Sequence, residues 1–208
     1  MSSLIRPGNI QLCDFVSAIS GTIKKQLGSV CRARTSTNIW EIHMAEKKLD
    51  DLFYDTLKDI YFAERQILKA LPKMARTANS DKLKAAFEKH KEETQGQIER
   101  LQEVFEIIGK RAQGKTCEAI QGIIAEGEEI MEDFKGSPAL DAGLISSAQA
   151  VEHYEMARYG TLKAWAQQLG HKEAVKLLDE TLKEEMKTDD DLSSLATESL
   201  NAAGKKAA

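Results

Sequence analysis

Four stretches of this 208-residue chain carry apolar residues at helical spacing, and each apolar stripe is broken near its middle by glutamate. Residues three and four apart share one face of an α-helix, so Phe53, Leu57, Ile60, Ile67, Leu71 and Met74 form a single face that only Glu64 interrupts. A second face, with Leu83 and Phe87 at one end and Leu101, Phe105 and Ile108 at the other, is filled in its middle by His90, Glu93 or Thr94, and Gln97. The third runs through Leu144, Ala148, Leu162, Ala166 and Leu169, with Glu152, Glu155 and Tyr159 between. The fourth takes Ala174, Leu177 and Leu195, with Thr181, Glu184 and Thr188 between.

Composition supports helices and little else. Ala, Leu, Glu and Lys dominate, only three prolines occur, and 42% hydrophobic with 30% charged residues is enough for one well-buried domain. The net charge of −4 and the lack of a basic stripe set with aromatics argue against nucleic acid, and no apolar run approaches the roughly 20 residues of a membrane span. Cys13, Cys31 and Cys117 show neither even pairing nor CxxC spacing, which suits a cytoplasmic location.

Residues 1–43 read differently. They are rich in Ser, Thr, Ile and Arg, with five basic residues against Asp14 and Glu41, and the acidic periodic pattern starts at Met44. Met44 reads as the natural start, with a targeting leader or an accessory segment as alternatives. None of these places chemistry there.

The domain is expected over 44–198, with 199–208 a flexible tail. A first helix is predicted from about Lys47 to Ala78, kinked or thinned by Pro72. A second follows an N-cap at Ser80 and stops at Gly109. A shorter helix covers Thr116 to Phe134. A third long one opens on Pro138 as a first-turn residue and stops at Gly170, and a fourth runs from Lys172 to Glu198. The expected fold is all-α, a four-helix bundle of two antiparallel hairpins joined by a long crossover that contains a short fifth helix.

The interruptions lie at one depth. Glu64 is fifteen residues before Asn79 and Glu93 fourteen after it; Glu155 is fifteen before Gly170 and Glu184 fourteen after it. At about 1.5 Å per residue, each pair faces across its hairpin about 20 Å from the turn. Glu92 and Glu185 are neighbours that take over if the register shifts by one. Carboxylates gathered inside a bundle either take up protons or bind cations, because burying a lone charge is costly and like charges raise one another's pKa. Bridging carboxylates around divalent or trivalent ions resolve the conflict.

The segments LKDIYFAERQILKALPKMA, HKEETQGQIERLQEVFE, AQAVEHYEMARYGTLKAWA and LLDETLKEEMKTDDDL, within a match from Glu46 to Thr197, resemble the YciE/YciF group of bacterial ferritin-like proteins. The resemblance implies a ferritin-like, cytoplasmic, homodimeric bundle that holds two iron ions per chain, with manganese as an alternative. It further implies a ferroxidase or peroxide-consuming oxidoreductase of the stress response, with dioxygen or peroxide as small-molecule substrate. Carried over, the ligands fall on Glu64, Glu93, Glu152 and Glu184, with Glu155 as a fifth. The usual Glu-x-x-His pairs are missing, since Gly96 and Lys187 stand where histidines are expected. His90, one turn before Glu93, is the candidate nitrogen ligand, and Gln97 and Tyr159 are candidates to support the carboxylates. His153 and His171 are expected at the surface. The competing reading is a non-catalytic, stress-related interaction bundle whose metal site is vestigial or stabilising.

Overall fold

The computed structural model describes residues 46–197; the expectations for residues 1–43 and for the tail 199–208 lie outside the described residues. Among the described residues there are five helices and no strand: α1 Leu49–Thr77, α2 Asp81–Ile107, α3 Glu118–Asp133, α4 Leu140–Gln168 and α5 Lys172–Leu195. Helix α1 pairs with α2 and α4 with α5 as two hairpins, which pack through α1 on α4 and α2 on α5. The fifth helix, α3, lies in the crossover against α1 and α4. The chain therefore forms the expected all-α four-helix bundle with a short helix in its long connection.

Local chemistry sets the helix ends. Gly109 and Gly170 take φ of 67° and 78°, the left-handed region that suits glycine. In both places the following amide reaches back over the last turn, Lys110 N to Phe105 O and His171 N to Ala166 O, each at 2.9 Å. Helix α1 runs through Pro72 and ends at Thr77, so the proline does not stop it. Helix α4 starts at Leu140, two residues later than expected, because Ser137, Pro138 and Ala139 are spent in a turn in which the Ser137 hydroxyl accepts the Ala139 amide at 3.1 Å.

Ser80 holds the N-cap position of α2, but its side chain caps nothing. The cap comes from another helix. The buried Asp141 carboxylate on α4 accepts the amides of Asn79 at 2.7 Å and Ser80 at 2.8 Å. These charge-assisted bonds fasten the start of the second hairpin to the turn of the first. Helix α4 thus leaves from the point at which α1 arrives, and the two run antiparallel.

The expected apolar faces of α1, α2 and α4 are largely buried, from Phe53, Leu57 and Ile60 on α1 to Tyr159, Leu162 and Ala166 on α4. On α5 the buried face is Ala174, Leu178, Thr181, Glu185 and Leu192 rather than the expected series through Leu177 and Glu184. Leu178, Glu185 and Leu192 are seven apart, the spacing that keeps one seam of a packed helix facing its partners.

Candidate metal centre

The middle of the bundle is polar. His90 from α2, Glu152 and Glu155 from α4 and Glu185 from α5 are all buried, and each offers one possible ligand atom within 4.8 Å of the others. His90 Nε2 stands 3.3 Å from Glu152 Oε1. Glu64 from α1, fully buried, lies against Glu155 and accepts a short hydrogen bond from the Tyr159 hydroxyl. Every helix of the two hairpins therefore contributes to one polar centre.

The expected residues separate into those brought together and those turned away. Glu152, Glu155 and His90 sit in the cluster, with Glu64 and Tyr159 beside it. Glu184 does not join it. Its carboxylate faces outward to Arg100, with Nη2 at 2.5 Å from Oε1, while Gln97 donates to Oε2 at 3.2 Å. Glu185 takes the inward place, the one-residue shift that Leu178 and Leu192 impose on α5. Glu93 also stands outside the four-residue cluster. Its side chain is 26% exposed and its Oε1 is paired with Lys89 at 2.9 Å, although its Oε2 is buried without a partner. The buried centre of α2 is His90, Thr94 and Gln97, which leaves Glu93 at the edge of that face. Gln97 is fully buried, but its amide serves Glu184. His153 is exposed near Asp189, as expected; His171 is half-buried and stacks on Phe53.

Arg100 is a functional neighbour that the stripe reading passed over. Half-buried on α2, it bonds Thr181 Oγ1 at 2.6 Å as well as Glu184. Its charge favours the ionised form of Glu64. The available signal was its place three residues after Gln97 on the same helix face.

Electrostatics confirm that the carboxyl groups crowd one another. Burial pushes Glu64 up to about 7, against the pull of the Tyr159 hydroxyl. Burial pushes Glu152 up to about 8; its contact with Glu185 opposes this, and the charge of Glu64 adds to it. Glu155 and Glu185 are raised as well, first by burial and then by the charge of Glu64. His90 is pushed down to about 4 by burial and by Lys89, so its ring is neutral at physiological pH and one nitrogen carries a free lone pair.

The donor set fits a cation. Glu64 Oε2, Glu152 Oε2, both oxygens of Glu155 and Glu185, and both ring nitrogens of His90 are buried with no hydrogen-bond partner. Buried polar atoms are normally paired, and here unpaired acceptors from four helices converge on one point. Carboxylate oxygens with one imidazole suit hard or borderline divalent ions such as iron and manganese. Cys117, the cysteine among the described residues, is engaged elsewhere, 3.1 Å from the Tyr154 hydroxyl.

Over residues 48–204 the chain matches a family described as a domain of unknown function, DUF892. It belongs to that family. The DUF892 chain is similar to YciF of Escherichia coli strain K12, at 45% identity over 159 residues, 76% of this chain and 96% of that protein. The crystal structure of YciF, there described as a stress protein, is 46% identical and superimposes with a TM-score of 0.72, covering 74% of this chain and 98% of that one. YcfI of Rhodopseudomonas palustris, for which a structural role has been suggested, is 45% identical with a TM-score of 0.69 over 73% of this chain and 96% of its own. A protein of Xanthomonas campestris at 20% identity and a TM-score of 0.61 shares the fold. The DUF892 chain is thus a helical bundle of the YciF type. Among its described residues no helix is long and apolar enough to cross a membrane.

Proposed function

We propose that this protein is a di-metal carboxylate protein of the ferroxidase or peroxide-consuming type, acting in stress defence. The observation that carries this reading is the set of unpartnered carboxylate and imidazole atoms of His90, Glu152, Glu155 and Glu185 buried within 4.8 Å of one another. His90, Glu152, Glu155 and Glu185 would hold the metal, with Glu64 as a further carboxylate beside Glu155. Iron bound there would supply the electrons that reduce dioxygen or hydrogen peroxide.

The chain's own residues have defined tasks in that reading. The surrounding apolar side chains exclude water and so strengthen every charge interaction inside. Tyr159 donates to Glu64 Oε1 and fixes that carboxylate, leaving Oε2 free. Burial keeps His90 neutral and able to offer a lone pair. Arg100 draws Glu184 outward, so that α5 presents one carboxylate to the centre instead of two.

The test is metal content and oxygen uptake. Protein expressed with added iron is expected to carry about two metal ions per chain and to consume oxygen when Fe(II) is added, both lost in Glu155→Ala and Glu185→Ala. A folded wild-type chain that holds no metal refutes the reading. The second reading is a non-catalytic interaction bundle whose metal site is vestigial or stabilising. Metal that raises thermal stability without any oxygen uptake selects it. The proposed homodimer is checked by sedimentation of the loaded protein.

A further inference from the structure

His90 and Glu152 also form part of the wall of a cavity of about 70 Å³. The rest of its wall is largely apolar: Leu71 and Met74 from α1, Phe87 from α2, Met131 from α3, and Ala148 and Val151 from α4. Ser147 adds a hydroxyl that already donates to the Gly143 carbonyl at 3.1 Å. Glu93 and Thr188 also line it, and Lys73, Lys89, Glu128 and Asp191, each about half exposed, mark the solvent end. They are paired, Lys73 with Glu128 at 2.8 Å and Lys89 with Glu93 at 2.9 Å. The buried end, at His90 and Glu152, belongs to the polar cluster.

We infer that this cavity is a binding site for a small apolar gas molecule, dioxygen in the working protein, held against His90 and Glu152. The inference rests on the oxidase reading above and selects between its two oxidants. Size excludes larger ligands, since organic molecules of drug size need pockets of roughly 300–1,000 Å³. One water needs about 10–15 Å³ of such space, so one or two diatomic molecules fit with room to spare. Polarity makes the remaining choice. Most of the wall is apolar, the condition in which a cavity takes up xenon or small hydrocarbons, whereas hydrogen peroxide would find acceptors only at the His90, Glu93 and Glu152 end and would leave its other hydrogen-bonding groups unpaired against Leu71, Phe87 and Val151.

Xenon tests this on the full-length protein without any turnover. Methyl spectra of labelled methionine under xenon pressure should show saturable shifts at Met74 and Met131 and none at Met186, which is 52% exposed and away from the cavity wall. Ala148→Leu fills the cavity and should abolish those shifts. It should also slow iron oxidation by dioxygen by about tenfold or more, the scale of one group's misfit in an apolar pocket. Cobalt binding and oxidation by hydrogen peroxide should be unchanged. Val151→Ala, which enlarges the cavity, should tighten xenon binding and serves if the leucine variant does not fold. Wild-type and Val151→Ala protein that both ignore xenon overturn the inference, and oxidation that continues in them leaves the oxidase reading standing. Xenon bound as expected, with no iron oxidation by either oxidant, keeps the gas site and overturns both the oxidase reading and dioxygen as its occupant. A folded Ala148→Leu protein that still binds xenon or oxidises iron with dioxygen at the wild-type rate also overturns it.

Discussion

Replacing Glu64 by glutamine should make the metal-free protein more stable at pH 8, although it removes a residue from the proposed metal centre. Glu64 is fully buried, and burial raises it from 4.5 to about 7. An acid whose pKa is higher in the fold than in the unfolded chain stabilises the fold while it stays protonated. That stability is complete below pH 4.5 and is lost as the pH rises through 7. At about 1.4 kcal/mol per pH unit, the charge on Glu64 costs the metal-free fold roughly 3 kcal/mol by pH 8. Glutamine has nearly the shape of the protonated acid, and its carbonyl can still accept from Tyr159. The variant should therefore gain about 3 kcal/mol at pH 8, a rise in Tm of roughly 6–12 °C for a domain of this size, and less than about 1 kcal/mol at pH 5. The assay is thermal unfolding of chelator-treated protein at both pH values. Iron-loaded protein should show the opposite order, with the wild type the more stable, since bound cations stabilise only what they bind. A Glu64→Gln chain less stable than wild type at pH 8 without metal refutes the reasoning, and an equal gain at pH 5 and pH 8 assigns the effect to packing rather than charge.

Four further outcomes follow from the same geometry. Glu185→Ala should abolish metal retention while Glu184→Ala leaves it intact, as read by metal analysis of the purified proteins, because only Glu185 faces the cluster. Arg100→Leu should move the alkaline loss of stability of the metal-free protein to lower pH 8 Tm values than wild type, because the guanidinium is a charge that favours ionised Glu64. Metal-free wild type should lose stability between pH 5 and 8 in thermal scans, since Glu64 and Glu152 are raised to about 7 and about 8; His90, lowered to about 4, works the other way below pH 6.5 and is outnumbered. Asp141→Ala removes two bonds to amides at the α1–α2 turn and should cost about 2–3 kcal/mol in denaturant unfolding.

Helix number, order and approximate ends were legible because long amphipathic periods with glycine stops carry strong local signals. The polar centre was legible too, since carboxylates at matched distance from two turns can meet in a bundle. The choice between Glu184 and Glu185 was harder, because adjacent residues differ by 100° on a helix and both lie near the buried edge. The deciding spacing, Leu178 to Leu192 through Glu185, was present in the sequence, but Leu177 and Leu195 supported the wrong face. Glu93 was misplaced for a related reason: positions 93 and 94 both fit the stripe between His90 and Gln97, the carboxylate was the stronger candidate ligand, and the fold buries Thr94 instead. The Asp141 cap could not be read locally at all, because it depends on contacts 61 and 62 residues away, while Ser80 offered an ordinary local cap that the fold does not use.

That long-range cap explains how two hairpins with no close resemblance in sequence bring their carboxylates to one level. Asp141 fixes the start of α4 beside Asn79 and Ser80, so distances along α1 and α4 are measured from a shared origin. Glu64 lies fifteen residues before Asn79 and Glu155 fourteen after Asp141, which puts each about 21–23 Å from that origin. The meeting of Glu64 with Glu155, and of Glu64 with Tyr159 one turn further along α4, follows from this alignment. A second origin lies at Gly170, whose left-handed turn sets α5 against α4 with Glu155 fifteen residues before it and Glu185 fifteen after. The centre is therefore held by two distant turns rather than by bonds among its own members, which repel one another when ionised. An arrangement of this kind keeps carboxylate oxygens apart from solvent and unpaired, the condition in which a cation gains most by binding.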